Sequence, residues 1–263
     1  MSNVLNIPVK ENRKLESVLK LIEEDTELQT LWRCANVLAI DRMGYNDHGP
    51  VHVKIVANKA LKLLRMLVEG GVDPSIKTNY NMAVEDAEIV VVLASIMHDL
   101  GMAITREGHE VYSAQMAQRI LQRYLLSSYS VEQSTIITSE VLHAIVTHEA
   151  RHRPFTIEAG IVKIADALDM EQGRARIPFK AGSVSIHSVS ALSIEKVDLE
   201  KGAKKPITIR IEMSNPAGIY QVDNLLATKI RNSGLEGYIH IEAVVGEGEG
   251  QLVLDESKLK GEN

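Results

Sequence analysis

An imidazole and a carboxylate stand side by side at His98-Asp99, directly after the apolar and small residues 89–97 and two residues before Gly101. Neighbouring helix residues differ by about 100° in direction. Two such side chains can still converge on one ion that sits just off a helix end. The pair becomes informative because other His and Asp residues recur in apolar surroundings: His52, His109, His148 and, between Ala165 and Ala167, Asp166. An unpartnered carboxylate in an apolar site is costly, and no Arg or Lys is obviously placed beside both Asp99 and Asp166. A cation held among several imidazoles would meet that need. Mixed His/Asp ligation suits borderline divalent metals, not the all-oxygen sites of calcium. The expected cofactor is one or two divalent ions per chain, with Mn, Fe, Co, Ni or Zn suited to this donor set and Mg also left open.

Helices must position these groups. Apolar residues recur at three- and four-residue spacing over 14–40, with a break near Asp25-Thr26 where either residue can cap a second helix. Residues 44–50, rich in Gly and Asn and ending at Pro50, read as a loop. A helix then opens near Val51, with His52 on its first turn, and stops at Gly70-Gly71. Residues 73–81 read as a polar connection. Asp86 is placed to cap the helix that ends in His98-Asp99. A short loop, 101–108, leads to a helix from His109 to about Leu126. Ser130 and Gln133 form a capping-box pattern before the helix that carries His148. Pro154 breaks the chain, and Glu158 to Met170 is the last helix of this part.

The character changes after Arg174. Residues 183–190, 191–197 and 207–213 alternate apolar and polar, as strands do. Residues 201–206 read as a hairpin turn, 221–232 as an amphipathic helix ended by Gly234, and 238–245 and 251–254 as two strands around a turn at 246–250. The expected architecture is a mainly α-helical domain, 1–180, holding the His/Asp cluster, followed by a small α+β accessory domain, 181–263, for oligomerisation or as a lid.

Composition bounds the rest. The 263 residues are 45% hydrophobic and 24% charged, with net charge −6, an ordinary globular balance. Both parts are slightly acidic, which argues against bulk nucleic-acid binding. The single Cys34 excludes an intrachain disulfide framework and suits a reducing, cytoplasmic setting. No apolar run is long enough for a membrane span. A homodimer, or another homo-oligomer, is the base-rate expectation.

His52-Val-Lys-Ile-Val-Ala-Asn-Lys-Ala, then His98-Asp99-Leu-Gly, then Lys-Ile-Ala-Asp166-Ala-Leu-Asp together resemble the H…HD…D signature of HD-superfamily metal-dependent phosphohydrolases, over roughly residues 45–180. Gly108-His109-Glu-Val-Tyr-Ser-Ala-Gln-Met-Ala and Val141-Leu-His-Ala-Ile-Val-Thr-His148 resemble the additional His motifs of two-metal members, which include symmetrical dinucleoside tetraphosphate hydrolases and HD-GYP cyclic dinucleotide phosphodiesterases. The resemblance implies an all-helical HD-domain bundle. It implies that His52, His98, Asp99 and Asp166 hold a first metal, that His109 and His148 complete a second, and that Asp99 bridges them. It also implies hydrolysis of a phosphate ester or anhydride of a nucleotide or related small phosphate compound. Two departures stand out. Met102 sits where many members carry a Lys, and no Gly-Tyr-Pro follows His148, so an HD-GYP assignment is unsupported.

Divalent ions lower the proton affinity of a water and neutralise phosphoryl oxygens in an in-line displacement. Cations for the other phosphates are sought at Lys54, Arg151, Arg153, Arg174 and Arg176, with His152 one turn past His148. Asp169, three residues from Asp166, is a candidate to orient water as a catalytic residue or to support the cluster from behind; the plainer alternative is a salt bridge to Arg174. His48 and His143 read as supporting residues instead of ligands. Two other functions use the same residues: a di-iron oxygenase, and a nucleotide-sensing regulatory protein with a degenerate site.

Overall fold

The computed structural model describes residues 5–171, 186–246 and 252–255. Its first part is helical: α1 (Arg13–Glu24), α2 (Thr26–Asn36), α3 (Pro50–Glu69), α4 (Ser75–Tyr80), α5 (Val84–Met97), α6 (His109–Leu125), α7 (Val131–Thr147) and α8 (Ile157–Ala167). The α5 sequence is apolar on every side, and Ala87 through Met97 are all buried. A helix without a polar face must lie at the centre of the bundle. Helices α3, α7 and α8 pack around it, so His98 and Asp99, at its C-terminal end, emerge in the middle of the protein.

Local chemistry fixes the helix ends. Asp25 caps α2, its Oδ1 accepting from Leu28 N at 3.0 Å, and Ser130 and Gln133 close the capping box of α7. Asp86 acts from inside α5, reaching back to the Ala83 N–H at 3.0 Å. The polar connection 73–81 contains the short helix α4. Its first amides, Ser75 N and Ile76 N, donate to the buried carboxylate of Glu158. That tertiary cap is invisible to local sequence patterns.

The second part begins with α9 (Ile186–Leu192) and continues through β1 (Ile194–Lys201), β2 (Ile207–Met213), β3 (Ile239–Val245) and β4 (Leu252–Asp255). The four strands lie in the order β1-β2-β3-β4. β1/β2 and β3/β4 are antiparallel, and β2/β3 is parallel. A parallel pair requires a crossover, and residues 216–231, irregularly helical, supply it. On β2, Ile207, Ile209, Ile211 and Met213 are buried and the residues between them are half-buried, as alternation predicts.

Two expectations fail here. The strand expected over 183–190 is helical from Ile186, and β1 starts at Ile194, not at 191; residues 183–185 lie outside the described residues. The cause is that serines go inward. Ser190 is fully buried, its hydroxyl accepting from Gln221 N at 3.1 Å. The Ser193 hydroxyl lies 3.1 Å from both Val189 O and Asn215 Oδ1. Val189 faces out. One apolar core cluster runs through both parts, from Leu5 to Val245. Among the described residues, no helix is long and apolar enough to cross a membrane.

Candidate metal centre

Four imidazoles meet at the end of α5. His98 follows the last residue of α5 and His148 the last residue of α7; each ring turns back so that Nδ1 meets a carbonyl of its own last turn, Ser95 O at 2.7 Å and Ile145 O at 2.6 Å. Those carbonyls belong to the unsatisfied set at a helix C-terminus. His109 opens α6 after Gly108, which takes the left-handed conformation (φ +67°), and its Nδ1 lies 3.0 Å from Arg106 O. His52, on the first turn of α3, places Nδ1 2.6 Å from Asp169 Oδ2. The α3 terminus is itself fixed by Asp47, whose Oδ1 accepts from Gly49 N and His52 N at 2.9 and 3.1 Å.

A carbonyl can only accept a hydrogen bond, so Nδ1 of His98, His109 and His148 carries the proton. An ionised Asp169 imposes the same tautomer on His52. All four Nε2 atoms are thereby turned inward. His52 Nε2 and His98 Nε2 are 3.2 Å apart, as are His109 Nε2 and His148 Nε2. Two neutral rings in this tautomer would oppose lone pair to lone pair, which is repulsive unless a cation lies between them.

Asp99 sits between the two pairs. Its Oδ2 is 3.3 Å from His52 Nε2 and 3.2 Å from His98 Nε2; its Oδ1 is 3.1 Å from His109 Nε2 and 3.9 Å from His148 Nε2. Asp166 adds Oδ1 at 3.3 Å from His52 Nε2 and 3.8 Å from His98 Nε2. Metal–ligand bonds of about 2.1 Å put neighbouring donor atoms about 3–3.5 Å apart, so most of these separations have the size of the edges of a coordination shell. Three overlapping donor groups are compact enough to hold an ion: His52, His98 and Asp99; Asp99, His109 and His148; and His98, His148 and Asp166. The donor set fits borderline divalent ions.

Electrostatics point the same way. Burial opposes charge on His98, but Asp99 and Asp166 outweigh it and raise the imidazole to about 9. Burial would push Asp99 and Asp166 up, yet the surrounding imidazoles, and for Asp166 chiefly Lys229, hold both well below the usual carboxylate range. Burial and the charge on His98 keep His148 well below its ordinary value. A cluster that holds one proton this tightly between two carboxylates is a cluster arranged for a cation.

The turn at Gly101 sets the spacing between the His pairs. A Cβ there would fall 2.0 Å from His109 O and 2.8 Å from Ser113 N. Gly101 N also donates to Ser113 Oγ at 2.8 Å. The chain after Asp99 thus lies directly on the first turn of α6.

The remaining candidates divide. Asp169 stands behind His52, on the ring edge opposite the cluster. His48 is buried, its ring centroid 5.8 Å from that of His52. His143 lies outside the cluster, stacked on Phe155, with its Nε2 accepting from Phe155 N at 3.1 Å. Arg151 pairs with buried Glu110, whose Oε1 is also 3.7 Å from His152 Nε2. Lys54 is two residues from His52 on α3, about 200° around the axis, and joins no ion pair among the described residues. Arg174 and Arg176 lie outside the described residues. Met102, far from supplying a charge, is buried against Ala35 and Ala39.

Three residues were missed. Glu149 follows His148 and brings Oε1 to 3.8 Å from His109 Nε2. Lys163 is fully buried on α8, and its Nζ donates to the carbonyls of Thr147, Glu149, Ala150 and His152; burial lowers it to about 8. It holds the turn beyond His148, and a lone Lys inside the apolar run 161–165 was a readable signal. Lys229 pairs with Asp166 at 2.5 Å, and nothing in its local sequence marks it.

This set of His and Asp residues, on helices around one central helix, is compatible with a metal site of the HD type. An HD-domain family model matches residues 51–171. The chain is also 39% identical, over 240 residues, to the uncharacterized protein MJ1020 of Methanocaldococcus jannaschii, covering 90% of this chain and 93% of that one. The chain belongs to the HD-domain family.

Proposed function

We propose that the protein is a metal-dependent phosphohydrolase that cleaves an ester or anhydride bond of a nucleotide or a related small phosphorylated compound. The observation that carries this reading is Asp99, whose two oxygens each face a separate pair of inward-turned His Nε2 atoms. His52, His98, Asp99 and Asp166 would hold one ion, and Asp99, His109 and His148 a second. Bound divalent ions would activate a water and neutralise phosphoryl oxygens.

The chain's own residues do the rest. Asp169 keeps the proton on His52 Nδ1, and the Ser95, Arg106 and Ile145 carbonyls keep it on the other three rings, so every Nε2 stays available. Such outer partners fix ligand orientation and basicity. The burial of His52, His98, Asp99, His109 and His148 excludes bulk water, which strengthens charge interactions at the centre.

The test is a hydrolysis screen of metal-loaded protein against nucleoside mono-, di- and triphosphates, cyclic nucleotides and dinucleoside polyphosphates, with products resolved by chromatography. Release of phosphate or a nucleotide product, abolished by Asp99→Ala, supports the reading. Full metal occupancy with no cleavage across the panel overturns it. Iron content with an electron-spin-resonance signal and oxygen-dependent turnover would assign the di-iron oxygenase alternative instead.

A further inference from the structure

Lys229 lies in the crossover between β2 and β3, more than sixty residues beyond the last motif residue, yet its Nζ is 2.5 Å from Asp166 Oδ2. The fold builds in this approach. The crossover packs on α8, and Gly160 of α8 lies so close to it that a Cβ would fall 2.6 Å from Ser233 O. Asn232 adds hydrogen bonds to Ala150 O and His152 O, at 2.9 and 3.2 Å, on the turn beyond His148.

Lys229 differs from Lys163. Lys163 spends its donors on four carbonyls. The Lys229 ammonium also has three N–H donors, and among the described residues its hydrogen-bond partner is Asp166 alone. Position matters too. The side chains of His52, His98, Asp99, His109 and His148 are at most 4% exposed, whereas Asp166 is 15% exposed. Asp166 is thus the most open of these six donors, and Lys229, its own side chain 8% exposed, stands against it. Met102 is buried elsewhere and offers no charge.

We propose that Lys229 is the phosphate-binding cation of this centre, donating to non-reacting oxygens of the substrate, so that the second part of the chain completes the substrate site. This rests on reading the His/Asp cluster as a phosphohydrolase metal centre. Lys229 Nζ keeps one N–H on Asp166 and turns the others to the phosphoryl group. A point-charge ammonium suits that task.

The experiment measures inorganic phosphate binding to the metal-loaded protein by calorimetry, with metal content by elemental analysis. The proteins compared are wild type, Lys229→Met, Lys229→Gln, Asp166→Ala and, as a control on the exposed face of α3, Lys62→Met. Loss of a charge-assisted hydrogen bond should weaken phosphate by about tenfold or more. The expected result is that loss in both Lys229 variants, with wild-type metal content, and unchanged binding in Lys62→Met. Lys229→Gln keeps a hydrogen bond to Asp166 without the charge, so it decides the matter if Lys229→Met does not fold. Unchanged phosphate affinity in the Lys229 variants overturns the proposal. So does loss of metal in Lys229→Gln, which would make Lys229 a support for Asp166. Full metal content in Asp166→Ala would instead strike the underlying assignment of Asp166 as a ligand.

Discussion

Metal binding should expel a proton from His98, and the size of the effect follows from the site. Asp99 and Asp166 overcome burial and raise the His98 imidazole from 6.5 to about 9. In the metal-free protein at pH 7 the ring is therefore almost wholly protonated, while a ligating Nε2 must be neutral. Displacing that proton costs about 1.4 kcal/mol for each pH unit below the pKa, or about 3 kcal/mol at pH 7. Metal affinity should then rise about tenfold per unit between pH 6.5 and 8.5 and level off above 9. Calorimetry at pH 7, in buffers of different ionisation enthalpy, should report about one proton released from His98 on filling its site. The sign for folding is the reverse. A group whose folded pKa is raised stabilises the fold below its unfolded value, and this contribution fades as pH climbs from 6.5 through 9. Metal-free protein should lose stability over that window, and metal-loaded protein should not. No proton release, with affinity flat from pH 6.5 to 8.5, would refute the reasoning.

Gly101→Ala should force the turn after Asp99 away from α6, because its Cβ meets His109 O at 2.0 Å; overpacking of this kind costs about 1–3 kcal/mol. Thermal unfolding should show that loss together with reduced metal content, and a variant with wild-type melting and metal would contradict the role given to the turn. Asp169→Ala should lower metal affinity about 10- to 100-fold by freeing the His52 ring, as read by competition with a chelator. A wild-type affinity would remove Asp169 from the support of the centre.

Much of the helical part was readable because its signals are local. Asp25, Ser130 and Gln133 cap as their positions suggest, and the apolar sequence of α5 dictates its central place. The six proposed ligand residues come together, since each sits at or near a helix end that such patterns mark. What was not readable depends on distant contacts. Glu158 creates α4 by capping it from another helix, and buried Ser190 and Ser193 turn an alternating stretch into a helix. Lys229 reaches Asp166 only because the parallel β2/β3 pairing carries its segment across α8. Asp169 was legible as a neighbour of Asp166, but its place behind His52 follows from the packing of α8 against α3.

The most direct measurement is the number of metal ions per chain in wild type, His109→Ala and Asp99→Ala. Two ions in wild type, one in His109→Ala and none in Asp99→Ala is the expected result, because Asp99 turns one oxygen to each His pair. Undiminished metal content in both variants would contradict a centre built on Asp99.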